Sequence, residues 1–267
     1  MARIAVAATA PFGADVLERL AARHQVAAVL TRPDAPRGRG RRVGPPPAKE
    51  VADRLGLPVL QPERPEPGLE LGAPVVVVCA YGLLIPAGLL LEREWLNVHP
   101  SLLPRWRGAA PVERALMAGD AETGVTIHET VEALDAGPIA AQRSFPIAPD
   151  DDAGAVYARA AAVAAELLDD VLSDPAPALV PQAEAGATYA ERITAADRAL
   201  DLSLPPRQLV DRVRALSPHI GARAELEGRP VTVWRARVGP DGSFEPLEVQ
   251  PDGGRRMSFE AWQRGLR

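Results

Sequence analysis

The chain has 267 residues and a mass of 28.3 kDa, with 47% hydrophobic residues, 24% charged residues and a formal net charge of −5. This is the balance of a soluble globular protein with its own core, which excludes a fibrous or disordered chain, and the net acidity argues against a generic nucleic-acid binder. No apolar run reaches the roughly 20 residues of a spanning helix, MARIAVAATAPF does not read as a signal peptide, and Cys79 alone supports neither a disulfide framework nor a cysteine metal site; the expected address is the cytoplasm.

Apolar residues 4–8 read as a first strand, TAPFG as a turn, Val16, Leu17 and Leu20 as one face of a helix, and Val26–Leu30 as a second strand. The chain therefore opens on a βαβ unit. Residues 31–50 hold six basic and two acidic residues, the kind of local excess that marks a polyanion contact. A helix is predicted between the prolines 45–47 and Gly56, with Val51 and Leu55 on one face, followed by a short strand, Val59–Leu60. Val75–Ala80 lacks polar alternation, as a central parallel strand covered on both faces would. Strands are then predicted at Trp95–His99, Gly124–Glu129 and Ile139–Phe145, with a helix at Pro111–Met117.

A long Ala-rich helix begins after Asp151 or Asp152, either of which can cap it, and runs to about Leu172. SDPAPALVPQAEAG, residues 173–186, reads as a linker on its proline and small-residue content. Beyond it the pattern changes: Leu202–Ala215 is amphipathic, while AELEGRPVTVWRARV and EPLEVQ read as short strands of a small β-rich module. Residues 187–267 carry 13 arginines and 11 carboxylates, which leaves 17 basic and 24 acidic residues before them.

The stretch LNVHPSLLPRWRGAAPVERALMAGD, residues 96–120, is the most informative for chemistry. Asn97 and His99 lie two apart at the end of a predicted strand, so their side chains share a face, at the carboxyl edge where open α/β sheets place ligands. Pro100 and Pro104 fix the path of SLLP, and Arg105, Arg107 and Gly108 make a polar loop into the next helix. An amide beside an imidazole suits acyl transfer, in which negative charge develops on a carbonyl oxygen. Asp135, in the acidic turn EALDAGPI, supplies a carboxylate to orient His99 or to relay an amine proton. Residue types alone leave open that Asn-x-His is a packing feature. His24, His128 and His219 show no metal-ligand spacing to His99 or to each other, so no metal is expected.

N-x-H-x-S-L-L-P-x-x-x-G followed by an L-D-x-G turn resembles the signature of the folate-dependent formyltransferases. TRPDAPRGRGRRVGPPPAKEVADRLGLPVLQPE, AYGLLIP, ATYAERIT and EGRPVTVWRA are similar to further blocks of that family, most of all to its branch acting on charged initiator tRNA. The resemblance implies a Rossmann-like formyltransferase domain over residues 1–186, linker included, and a smaller C-terminal β-barrel of OB type over residues 187–267 that assists with tRNA. It implies a monomeric enzyme, without a metal, that moves a formyl group from 10-formyltetrahydrofolate to the α-amine of methionine on initiator tRNA.

By the same resemblance Asn97 and His99 would hold the formyl oxygen and its oxyanion, and Asp135 would assist proton removal from the amine. Tyr81, Leu83, Leu84, Ile85, Ser101, Leu102, Leu103, Pro104 and Leu134 would bind the folate, although Leu83 and Leu84 equally suit plain core. Arg37, Arg39, Arg41 and Arg42 of the basic loop Arg32–Arg42 would contact the tRNA, the alternative being a solvated charged loop. Phe12 would pack on the methionine side chain, or is a core aromatic. The sequence departs from the family pattern in Ala8-Thr9-Ala10, where Gly-Thr-Pro is usual, in DAGPI, and in its short C-terminal module. The alternatives are a small amine acceptor, glycinamide ribonucleotide or an amino sugar, and a folate-binding module without catalysis.

Overall fold

The computed structural model describes residues 1–37, 42–174 and 176–266. In chain order the elements are β1 (Arg3–Ala8), α1 (Pro11–Ala21), β2 (Gln25–Leu30), β3 (Ala35–Arg37), β4 (Arg42–Gly44), α2 (Pro47–Arg54), β5 (Val59–Leu60), β6 (Val75–Cys79), α3 (Ala87–Leu90), β7 (Glu94–His99) and β8 (Arg107–Gly108). There follow α4 (Pro111–Met117), β9 (Glu122–Glu129), β10 (Ile139–Pro146), α5 (Ala153–Ser173), β11 (Tyr189–Ala190), α6 (Ala195–Arg198), α7 (Pro206–Leu216), β12 (Ala222–Leu226), β13 (Arg229–Val238), β14 (Phe244–Pro251), β15 (Met257–Ser258) and α8 (Phe259–Arg264). They divide into two compact units: Met1–Arg107, Gly124–Ser144 and Ala158–Thr188 in one, Gly108–Thr123, Phe145–Tyr157 and Tyr189–Arg267 in the other.

The first unit is built on a seven-stranded sheet in the order β10-β9-β7-β6-β1-β2-β5. The pairs from β7 through β5 are parallel, and β7 meets β9 antiparallel. Residues 4–8 of β1 are fully buried, and so is nearly all of VVVVC in β6, which explains their unbroken apolar sequence. Two local readings change. PFG is the first turn of α1, because Pro11 at the first helical position needs no N–H partner. Gly13 serves close packing, since a Cβ there would lie 2.3 Å from the Cys79 carbonyl oxygen. In α2 the buried side chains are Ala48 and Ala52, whereas Val51 is half-buried and Leu55 exposed; only small residues fit under this short helix.

At the two ends of the basic loop β3 and β4 pair antiparallel, with Pro36 opposite Val43. α5 begins where expected, with Asp152 Oδ1 accepting the Ala155 N–H at 2.9 Å. The segment read as a linker is tied down: Val180 and Ile139 exchange both backbone hydrogen bonds, at 2.8 and 2.9 Å.

The second unit buries Leu209, Val213 and Leu216 of α7 against Ala222, Val231, Val233 and Val249 of a four-stranded antiparallel meander, β12-β13-β14-β15, with Trp262 closing the cluster. Asp211, 5% exposed, accepts from Arg207 at 3.1 Å and Arg214 at 2.9 Å. Arg214 also donates to the carbonyls of Ala148 and Asp151. No helix among the described residues is long and apolar enough to cross a membrane.

Candidate active site

The two-residue period of β7 puts Asn97 and His99 on one face at its carboxyl end. Antiparallel β9 pairs His128 with Asn97 and Thr126 with His99, so His128 joins the same face as a cross-strand neighbour. The turn after β9 returns Asp135 to them with φ +47, a left-handed conformation uncommon for a residue with a side chain.

Four side chains thereby converge. Asn97 Nδ2 donates to Asp135 Oδ1 at 3.0 Å and to His128 Nε2 at 3.1 Å. The second bond requires a lone pair on His128 Nε2, and Nδ1 of that ring donates to the Glu129 carbonyl at 2.8 Å, which fixes the tautomer. His99 Nε2 donates to the Trp106 carbonyl at 2.8 Å, leaving Nδ1 facing Asp135 Oδ2 at 3.6 Å. The His99 and Asp135 side chains are only 5% and 10% exposed. Burial pulls the His99 pKa below its ordinary 6.5, opposed by the nearby Asp135 charge and then by the Trp106 carbonyl. A neutral imidazole with a bare Nδ1 beside a carboxylate can accept a proton, and as the cation it can donate to an oxyanion.

The Trp106 carbonyl reaches His99 because Trp106 has φ +64. Its N–H donates to Thr188 Oγ1 at 2.9 Å, and the next N–H, of Arg107, donates to the Thr188 carbonyl. Thr126 Oγ1 ties the SLLP loop to β9: it donates to the Ser101 carbonyl at 2.7 Å and accepts from the Leu103 N–H at 3.2 Å and Gln142 Nε2 at 2.8 Å. Thr126→Val keeps the shape but strands a buried N–H, so a loss of about 1–3 kcal/mol in stability is expected in denaturant unfolding.

The expected folate residues are placed differently from one another. Ser101 is buried and its hydroxyl donates to the Arg105 carbonyl, Leu103 is buried, Pro104 accepts from the Thr188 N–H, and Leu102 packs over Gly124. Tyr81 is buried in the core with Leu83 and Ile85 packed around the same cluster. Among the described residues its hydroxyl has no hydrogen-bond partner, and burial pushes its pKa up to about 12. Leu84 and Leu134 are 83% and 62% exposed. Phe12 is buried, and Arg42 is exposed on β4. Arg39, Arg41 and the side chain of Arg37 lie outside the described residues. Sequence reasoning missed His128, which only the pairing of β7 with β9 brings to the site, and Gln182, which composition had assigned to a linker and whose amide donates to the Asp135 and Gly137 carbonyls. No group of three or more His, Cys, Asp or Glu that could hold a metal ion occurs among the described residues.

A family model described as Formyl transferase matches residues 2–172, and one described as Formyl transferase, C-terminal domain, matches residues 192–245. The chain is 40% identical to a methionyl-tRNA formyltransferase of Methylococcus capsulatus, covering 96% of this chain and 94% of that one. It is 41% identical to the enzyme of the same name from Thermus thermophilus, covering 98% and 96%. In fold it resembles an N-formyltransferase from Helicobacter canadensis, with TM-score 0.68 and 16% identity over 97% of this chain and 99% of that one. It also resembles HypX from Aquifex aeolicus, solved with tetrahydrofolic acid, with TM-score 0.67 and 17% identity over 98% of this chain and 46% of that one.

Proposed function

Since the chain belongs to the formyl transferase family, we propose that it moves the formyl group of 10-formyltetrahydrofolate to the α-amine of methionine on initiator tRNA, in the cytoplasm and as a monomer. The observation that carries the chemistry is the approach of Asp135 to within 3.0 Å of the Asn97 amide and 3.6 Å of the His99 ring. The choice of acceptor rests on relatives about 40% identical over nearly the whole chain. Residues 1–186 form the donor-binding catalytic part and residues 187–267 the part that assists with tRNA.

The amine adds to the formyl carbon, forming a new N–C bond while the carbonyl pair moves onto oxygen. Asp135 takes the proton shed by the amine and passes it to Nδ1 of His99, whose other nitrogen stays on the Trp106 carbonyl. The imidazolium therefore arises together with the oxyanion it stabilises, which is the timing that lowers a barrier. Asn97 turns one of its N–H groups from Asp135 or His128 to the same oxygen. Collapse restores the carbonyl and breaks the bond to the donor nitrogen, which recovers the proton.

Leu84 and Leu134, exposed and apolar, cover the pterin of the donor, with Tyr81, Leu83 and Ile85 beneath and the Ser101–Pro104 loop shaping the wall. Arg37, Arg39, Arg41 and Arg42 contact the acceptor stem, and Phe12 backs the methionine side chain. The test is transfer of labelled formyl from 10-formyltetrahydrofolate to charged initiator tRNA, glycinamide ribonucleotide and an amino-sugar nucleotide. Transfer to the tRNA is expected; transfer to a small amine with none to tRNA overturns the acceptor.

Stability should follow the His99 proton. Because the folded pKa is lowered, the unfolded chain binds more protons below pH 6.5. The contribution of neutral His99 is thus complete above 6.5 and is lost as the pH falls through the folded value. Between about pH 8 and about pH 5, Tm should fall further in the wild type than in His99→Asn.

A further inference from the structure

Asp135 is aimed by a turn whose backbone is held from outside. Gln182 donates one amide N–H to the Asp135 carbonyl at 2.8 Å and the other to the Gly137 carbonyl at 2.7 Å. Its amide oxygen accepts from Arg107 Nε at 3.2 Å and Nη2 at 3.0 Å. Arg107 is itself 2% exposed and is pinned by Glu184 at 3.3 Å and by its own N–H on the Thr188 carbonyl. Every hydrogen-bonding position of the Gln182 amide is used, and carbonyls on one side with a guanidinium on the other admit only one orientation of that amide. Val180, two residues earlier, is bonded to Ile139 at the far end of the same turn.

Asp135 adopts its left-handed φ in the middle of this turn. A residue with a side chain holds that conformation only where its surroundings impose it. By holding the carbonyls of both Asp135 and Gly137, Gln182 restrains the stretch of backbone from which the Asp135 carboxylate projects. We propose that Gln182, anchored on Arg107, is a positioning residue for the formyl transfer proposed above: it holds the 133–137 turn so that the Asp135 carboxylate meets Asn97 and His99.

The proposal rests on the formyl-transfer reading for its kinetic consequence only, since the positioning can be read without turnover. Gln182→Met keeps the length and removes all four bonds; Gln182→Glu keeps an acceptor for Arg107 but cannot donate to the turn. Both should lower kcat roughly 10- to 100-fold, the effect of a misplacement of about 1 Å, with both KM values within about threefold of wild type. In NMR titrations of the histidine rings, both should move the His99 midpoint to lower pH, because the displaced Asp135 charge no longer supports the cation. A Gln182→Glu enzyme with wild-type kcat, or a His99 midpoint unmoved in both variants, overturns the proposal. If the wild type fails to formylate Met-tRNA, the functional reading falls, while the His99 titration still decides whether Gln182 positions Asp135.

Discussion

Asp135→Asn should lower kcat for formyl transfer by about 10²- to 10⁴-fold, the range for losing a positioned proton acceptor, while KM values and Tm stay close to wild type. The substitution is nearly isosteric, and the new amide oxygen can still accept from Asn97 Nδ2, now 3.0 Å from Asp135 Oδ1. What disappears is the ability to take the amine proton and the charge 3.6 Å from His99 Nδ1. Steady-state kinetics with both substrates varied, alongside thermal unfolding, separate these effects. A kcat within about threefold of wild type would remove Asp135 from the chemistry.

Gly137→Ala should abolish measurable turnover and lower stability by about 3 kcal/mol, the upper end for overpacking a filled site. A Cβ at position 137 would lie 1.8 Å from the Glu129 carbonyl oxygen and 3.4 Å from His128 Nδ1. That oxygen accepts the His128 ring N–H, and it cannot retreat easily. The Glu129 N–H is bonded to the Pro138 carbonyl, and the next N–H, of Thr130, to the Trp95 carbonyl. The turn must therefore open, carrying Asp135 away from Asn97 and freeing the His128 tautomer. Differential scanning calorimetry should show Tm lower by roughly 6–12 °C; an unaltered Tm with normal turnover would mean that the turn is loosely held.

The parallel sheet was legible because β1, β2 and β6 are short, unbroken apolar runs separated by helical spacing, and burial on both faces leaves no other sequence pattern. Asn97 and His99 were legible as a pair because strand periodicity alone puts them on one face. Asp135 was legible as an acidic turn residue, but its approach to His99 depends on the antiparallel entry of β9 beside β7, which no local pattern announces. His128 was invisible for the same reason: it is one buried polar residue among several in β9 until the register places it opposite Asn97. Gln182 was hidden by composition, since proline and small residues around it read as a spacer and give no sign of its partners 45 and 47 residues earlier in the chain. In α2 the misread face, and in α1 the unremarked packing role of Gly13, have one cause. Gly13, Ala48 and Ala52 are buried because they are small, whereas periodicity counts only large apolar side chains.

The convergence of amide, imidazole and carboxylate is tested most directly by a double-mutant cycle of His99→Ala and Asp135→Ala, read as single-turnover formyl transfer to charged initiator tRNA with both substrates saturating. If Asp135 hands its proton to His99, the two act as a unit, and the double variant should be no slower than the slower single variant by more than about threefold. Losses that multiply, or single variants that transfer at the wild-type rate, would contradict it.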